Sequence, residues 1–480
     1  MTEQFASSLS PSRRSFLLGA GAMMGSGTLM SVIGGRATMA QAAGATLVVA
    51  STTTPQSLDS EFDGSQGTLD AIGTLYDSLI AYKKVPDPDH PGVLREDLAD
   101  HPDLPGNINA EGKLAESWTV DPEGRWAEFK LREGVKSAWG NELTAEDPWA
   151  RDFISNNAVG FGPYTIEDLT RGQQVVYKAR EDYYLGKPAI DRVIYREVPT
   201  SATRVALLQG GSVDIAQSLQ PLEIATLKTV PGVVVQTVKA SPMIYIGLNT
   251  KFEPFDKIPV RQAMNHTFPR QLVLETIFQN TASPMTGCMP SFYPGFFGDG
   301  VQFDYDLDKA KALLAEAGVP DGFSTTLAYN AGDPLQEPMA ILYQSSLRQI
   351  GIDLGLKKTP AGTYYNEISG RTQPMIISLD NPWTADPGYA MFLSFQSVTY
   401  SNFSNYKNAR VDELLAEAGA TADNAKRVEL MTEVQKIIMV EAPRVMIAYP
   451  NYTMAKRDTV DGFAYYTSNN LRFQDFSKKV

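Results

Sequence analysis

The 480-residue chain has one cysteine and three histidines, and these two shortages remove several kinds of chemistry together. A single thiol, Cys288, permits no intrachain disulfide. It lies in MTGCMP with no reactive-cysteine signature around it, so a buried or incidental role outweighs a nucleophilic one. His90 and His101 fall in a proline-rich loop and His266 in the helix-like VRQAMNHTF. No pair of them has the spacing that metal ligation on a helix or finger requires. No Gly-x-Ser-x-Gly elbow is present, and no glycine-rich phosphate loop follows a strand, so neither acyl transfer nor a nucleotide cofactor is indicated. The acids of DYDLD (Asp304–Asp308) lack the glycine and distal glutamate of a calcium loop and should begin the following helix instead. We expect no cofactor, no metal and no enzymatic activity. Paired carboxylates stay open as a possibility in a chain with 55 acids, since abundance carries no geometry.

Long apolar runs are missing as well. SRRSFLLGAGAMMGSGTLMSVIGG, near the N-terminus, is broken by Gly19, Gly21, Gly25 and Gly27 and makes a poor spanning helix. Arg13 and Arg14 stand ahead of its apolar part, and Ala40-Gln41-Ala42 follows as a small-x-small cleavage site, the three-part pattern of a secretory signal. The paired arginines, with Phe16 and Leu17 just beyond, match the twin-arginine export pattern. Loss of residues 1–42 would remove three arginines and one glutamate, moving the net charge from −13 to −15. Such a chain repels nucleic acid and anionic lipid. No cysteine stands at the cleavage site to carry a lipid, so release into an exported aqueous space is expected.

What is present is an ordinary globular composition, 43% hydrophobic and 10% aromatic, over a length that implies at least two domains. ATLVVAS (45–51) predicts a strand, and GTLDAIGTLYDSLIAY (67–82) a helix with Leu75, Leu79 and Tyr82 on one side. Residues 83–107 read as loop. Strand patterns follow at 125–132, 173–179 and 192–198, then a helix, a glycine turn and a short strand in TSATRVALLQGGSVDIAQS. The second half alternates more regularly. Helices are predicted in FDYDLDKAKALLAEAGVPDG, capped by Gly318 and stopped by Pro320, in PMAILYQSSLRQIG, and in KRVELMTEVQKIIMVEAP. Strands are predicted in TTLAYN, IDLGLKK, MIISLD and RVMIAYP. This alternation points to α/β layers.

One stretch suggests a ligand edge. MIISLDNPWTADPGYAMFLSF puts an apolar strand directly before Trp383, Asp386 and Tyr389. A ring supplies a flat apolar wall, and a carboxylate can hold an ammonium by charge-assisted hydrogen bonds. A surface turn with a partly buried tryptophan is the other reading of the same residues.

Eight segments in order give the chain a resemblance to the peptide/nickel type of ABC-importer solute-binding protein (bacterial extracellular solute-binding proteins, family 5), over most of its length. They are KLAESWTVDPEGRWAEFKLREGVKSAWGNELTAED, GFGPYTI, YYLGKPAIDRVIYREV, LLQGGSVDIA, YIGLNTKFEPFDKIPVRQAMNHTFPRQLVLETIF, DLDKAKALLAEAG, PWTADPGY and RVMIAYP. The resemblance implies two α/β lobes joined by hinge strands near Tyr245–Asn249 and Met446–Pro450, closing on a small solute for delivery to permease subunits in the inner membrane. It implies a periplasmic protein, and we expect it to act as a monomer. It implies lobe 1 at 43–58, 156–245 and 451–480, a flanking subdomain at 59–155, and lobe 2 at 246–450. Peptide-binding members anchor the ligand's α-amino group on an aspartate beside an aromatic residue, which by position is Asp386 next to Trp383. With Tyr389 and Asn249 these make up the expected ligand-binding set. An oligopeptide-like solute is the leading reading. A nickel chelate, an opine or an oligosaccharide, a degenerate paralogue that no longer transports, and a secreted hydrolase are the alternatives.

The resemblance also bears on NELTAEDPWARDF (141–153), where Thr144–Asp147 opens a helix that Pro148 cancels within one turn. In the family a helix and a substantial stretch separate the two halves, so their fusion at Glu146–Asp147 implies an internal deletion from the flanking subdomain. Trp139, Trp149 and Phe153, beside that junction, are expected to be partly exposed.

Overall fold

The chain divides into two units, Met1–Ala43 and Gly44–Val480. The computed structural model describes the second of these, apart from residues 56, 59–65, 122–124, 144–157, 159, 301, 383–385 and 480. The expected signal segment, Trp149, Phe153, the Glu146–Asp147 junction and Trp383 therefore lie outside the described residues.

Two mixed sheets organise this unit. In the first, seven strands run in the order Val233–Val238, Tyr452–Arg457, Ile215–Ala216, Thr46–Ser51, Arg192–Glu197, Gln174–Ala179, Tyr164–Thr170. The central strand Thr46–Ser51 is parallel to both its neighbours. Its side chains alternate, as a period of two requires. Leu47 and Val49 face a core with Leu75, Tyr177, Tyr195 and Phe473, while Ala50 faces another with Leu208, Ile224 and Leu227.

The second sheet has six strands in the order Ala282–Pro284, Arg444–Pro450, Met243–Leu248, Met375–Asp380, Ser324–Asn330, Asp353–Thr359. Its central strands are buried on both faces, which is why MIYIGL and the VMIAYP that follows Arg444 read as unbroken apolar runs. Ile244, Ile246 and Ile447 meet the helices Ile258–His266 and Gln336–Arg348, whereas Met243 and Met446 meet Ala409–Ala420 and Asn424–Glu441. One buried ion pair ties the second face together. Arg444, 1% exposed by its side chain, bonds Asp380 at 2.6 Å and stacks over the rings of Tyr245 and Phe395.

The main chain passes between the sheets twice, through residues 239–242 and through Asn451. The strands expected at the hinge run inside the second sheet, and the second of them ends at a crossing. Ser241 is held from both sides: its N–H donates to the Tyr465 hydroxyl at 3.1 Å, and the Tyr293 hydroxyl donates to its Oγ at 3.3 Å.

Two further expectations need correction. The helix predicted over 67–82 stops at Leu75. Gly162 N–H takes the Leu75 carbonyl at 3.0 Å, an approach open only to glycine because a Cβ there would lie 2.6 Å from that oxygen. Downstream, the Asp77 carboxylate is captured by the hydroxyls of Tyr183 and Tyr184, and Ile80–Tyr82 pairs with Ala110–Gly112 as a strand. The 83–107 stretch is not all loop, since Lys84–Pro86 and Leu94–Glu96 pair with each other and the latter with Ala464–Tyr465.

The two chain segments that flank residues 144–157 meet. Ala138 N–H donates to Gly160 O at 3.1 Å and Trp139 Nε1 to Ala158 O at 2.8 Å, while Arg180 bonds the carbonyls of Lys136 and Gly162. Trp139 is 56% exposed.

Candidate functional site

The expected ligand edge begins where Met375–Asp380 ends. Asp386 is the N-cap of the helix Pro387–Phe395, its Oδ1 accepting from Tyr389 N–H at 2.7 Å, with Pro387 at the first helical position. Its Oδ2 accepts from Arg427 of the helix Asn424–Glu441. A carboxylate offers about four acceptor positions, and these two bonds leave the remainder facing a cleft. Tyr389 is half-buried. Burial and then the neighbouring Tyr400 push its hydroxyl up.

Asn249 is placed elsewhere. Met243 pairs with Asp380 and Leu248 with Met375, so Asn249 follows the end of its strand remote from the crossing, on the order of 20 Å away. It is 2% exposed. Its Nδ2 donates to the carbonyls of Arg371 and Gln373, and its Oδ1 accepts from Lys251 N–H and Asn405 Nδ2. All four hydrogen-bonding positions are used to staple loops together, and none points at the Asp386 loop.

A cavity of about 600 Å³ separates Asp386 and Arg427 from Tyr82, Leu98, Asn107 and Val120. Burial, then the charges of Glu96 and Asp386, push the Tyr82 hydroxyl up, as expected for a phenol facing that carboxylate. A second cavity of about 760 Å³ continues past Asp100 toward Arg95, Glu96 and Asp97. Between them stands a strut, Asn424 Nδ2 to Asp100 Oδ1 at 2.6 Å. Arg95 bonds Asp87 at 3.3 Å and lies 4.4 Å over the Phe292 ring, a cation–π contact. Burial works against the Asp97 carboxylate, but bonds from Asn109, Ala99 N–H and His101 together hold its carboxyl below the usual range.

The C-terminal segment is tied to the residues that precede Trp383, Asn469 Nδ2 donating to Asn381 Oδ1 at 2.9 Å. Neither Arg427 nor Asn469 stood out in the sequence. Arg427 sits on an amphipathic helix 41 residues beyond Asp386, and only the Asn469-Asn470 pair carried a local signal, that of a turn.

Among the described residues no group of three His, Cys, Asp or Glu side chains is placed to hold a metal ion. His90 bonds Asp87, His101 bonds Asp97, and His266 bonds the Asp304 carbonyl. Cys288 is buried against Met391, and burial pushes its thiol up to about 12. Among the described residues no helix is long and apolar enough to cross a membrane.

The family model for bacterial extracellular solute-binding proteins, family 5 Middle, matches residues 146–402. The chain is 30% identical over 327 residues to the probable D,D-dipeptide-binding periplasmic protein DdpA of Escherichia coli, covering 68% of this chain and 63% of that protein. It is 31% identical over 340 residues to the glutathione-binding protein GsiB of Salmonella paratyphi A, covering 68% and 65%. It spans 55% to 65% of the length of the curated relatives it matches first. Its fold is that of the periplasmic binding protein DppA from Helicobacter pylori, solved with the peptide STSA: the TM-score is 0.76 at 23% identity, over 91% of this chain and 98% of that one. The two sheets, the double crossing and the cleft thus belong to a two-lobed periplasmic-binding-protein fold, and the chain is a member of the bacterial extracellular solute-binding proteins, family 5.

Proposed function

We propose that this chain is the periplasmic solute-binding component of an ABC importer, closing by hinge motion on a peptide-like solute and presenting it to permease subunits in the inner membrane. The observation that carries the reading is the double crossing at 239–242 and Asn451 beside a cleft whose walls come from different parts of the fold. Short paired crossings let two lobes rotate without breaking either sheet. The printed names of the relatives, a D,D-dipeptide binder and a glutathione binder, favour a peptide-like solute. Asp386 keeps acceptor positions for a solute ammonium beside Arg427, with Tyr389 next to it, and Trp383 is the aromatic residue that the family pattern pairs with it. Asn249 acts in the fold. Residues 1–42 serve as the twin-arginine signal, and the released chain works as a monomer.

The test is thermal unfolding with and without a saturating library of di- to pentapeptides. Binding to the native state raises the midpoint of a cooperative transition. A cooperative melt that no peptide moves would reject the peptide reading. A broad, non-cooperative melt would favour the degenerate paralogue, the alternative that a deletion at Glu146–Asp147 would imply.

A further inference from the structure

We infer a second, smaller binding site, for a small carboxylate that also carries an amino or hydroxyl group, with its carboxylate on Arg472 and its N–H or O–H on Gln474. The site is a cavity of about 270 Å³ where the C-terminal segment meets residues 77–84 and 183–189. Of its lining residues only Tyr82 also lines the cavity beside Asp386. Binding here is separate from solute capture in that cleft and does not depend on it.

Among the described residues, the charged groups that line this cavity are partnered with one exception. Lys84 bonds Asp475 at 2.6 Å, Lys113 bonds Glu111 at 2.7 Å, and Lys187 bonds Glu181 and Asp191 at 2.7 and 2.6 Å. Asp77 Oδ2 accepts from the hydroxyls of Tyr183 and Tyr184 at 2.7 and 2.6 Å. Arg472 is the exception. No carboxylate or carbonyl among the described residues bonds its guanidinium, and its Nε is buried without a partner. It stacks over the Tyr466 ring instead, 3.9 Å from the centroid. Stacking occupies the face of a guanidinium and leaves its in-plane N–H groups for a planar oxyanion.

The chain that presents Arg472 is anchored. Leu471 and Phe473 on either side are fully buried, and Leu471 N–H donates to the buried Asp70 at 2.6 Å. Gln474, two residues on, lines the same cavity and adds an unmet acceptor. Its Nε2 donates to the Gly73 carbonyl at 3.4 Å, while its Oε1 is buried with no donor. Turning the amide over would set Oε1 against that carbonyl, so the acceptor keeps its place. A partly buried cation without an anion and a buried acceptor without a donor are both costly. One ligand with a carboxylate and a neighbouring N–H or O–H satisfies the two together. A single unpaired cation matches a monoanion, and the volume is below the roughly 300 Å³ at which pockets for larger ligands begin. A molecule of a few carbons fits better than a peptide.

The experiment is calorimetry with L-alanine, L-lactate, propionate and L-alaninamide on the parent protein, Arg472→Gln, Ala189→Phe and Asp386→Asn. Arg472→Gln removes the cation, and Ala189→Phe fills the cavity from an exposed position on its wall. We expect the parent to bind L-alanine and L-lactate at least ten-fold more tightly than L-alaninamide, which lacks the carboxylate. Arg472→Gln and Ala189→Phe should each bind L-alanine at least ten-fold more weakly than the parent, and Asp386→Asn, altered in the cleft, within about two-fold of it. If Arg472→Gln does not melt cooperatively, Ala189→Phe carries the same expectation alone. A parent that binds none of the three carboxylates, the result if water alone fills the cavity, overturns the inference. So does a loss in Asp386→Asn that Arg472→Gln and Ala189→Phe do not share, the result if alanine enters the cleft. Propionate binding as tightly as L-alanine and L-lactate overturns the Gln474 contact. The peptide reading has its own thermal test, which none of these results decides.

Discussion

Replacing Asp70 by asparagine should change how the stability of this protein depends on pH. Asp70 is fully buried beneath the first sheet, where it accepts hydrogen bonds from Leu471 N–H, the Tyr195 hydroxyl and Gln66. Gln217 and the hydroxyls of Tyr177 and Tyr452 lie near it, and among the described residues no cation acts on it. Burial therefore pushes its carboxyl from 3.8 up to about 7, with the hydrogen bonds opposing that rise only in part. In the unfolded chain the group ionises near 3.8, so between there and about 7 the native state holds a proton that the unfolded state has released. Stability then falls as pH rises through this window and levels off above it. A gap of roughly three pH units at about 1.4 kcal/mol each amounts to about 4 kcal/mol. Asparagine has no such dependence and still offers its carbonyl to Leu471 and Gln66. The assay is urea unfolding with linear extrapolation, at intervals from about pH 4 to about pH 8. Relative to the parent, the variant should gain up to about 4 kcal/mol across that range, since every other titrating group is common to both proteins. Parallel curves, with the difference changing by less than about 1 kcal/mol, would refute the reasoning.

Two substitutions test the ion pairs. Asp386→Asn keeps an N-cap for the helix Pro387–Phe395 but removes the charge, so stability should change by no more than about 1 kcal/mol. Peptide affinity, measured by calorimetry, should fall about ten-fold if the carboxylate holds a solute ammonium. Asp380→Ala leaves the Arg444 guanidinium buried without its carboxylate and should cost about 3–5 kcal/mol in urea unfolding.

Much of the architecture was legible because local and global preferences agree. Asp306 caps the helix Leu307–Glu316, accepting from Lys309 N–H, and Gly318 follows at φ 78°, as the DLDKAKALLAEAG pattern required. RVMIAYP and MIISLD form the strands expected of them because both faces of Val445–Tyr449 and of Met375–Ile377 are buried and take apolar residues in succession. The helix predicted to run on to Tyr82 failed because its end is set by distant groups, the Gly162 N–H and the hydroxyls of Tyr183 and Tyr184, which leave no mark in LYDSLIAY.

The candidate site divides along the same line. Asp386 and Tyr389 could be picked out because an apolar strand followed by an aromatic and acidic loop is a local pattern. Asn249 could not be judged locally: whether an asparagine at a strand end faces a cleft or staples loops depends on which end of the strand meets the crossing. By itself the sequence determined the α/β alternation, the poverty in groups for covalent and metal chemistry, the negative charge and the family pattern, because each is written in residue type and short-range spacing. Only the tertiary structure decided that Arg427 pairs with Asp386, that Asn469 bonds Asn381, and that Asp70 is buried among hydroxyls and amides. Those pairings join residues tens to hundreds of positions apart, and no local preference encodes which of the many available partners the folded chain brings within hydrogen-bonding distance.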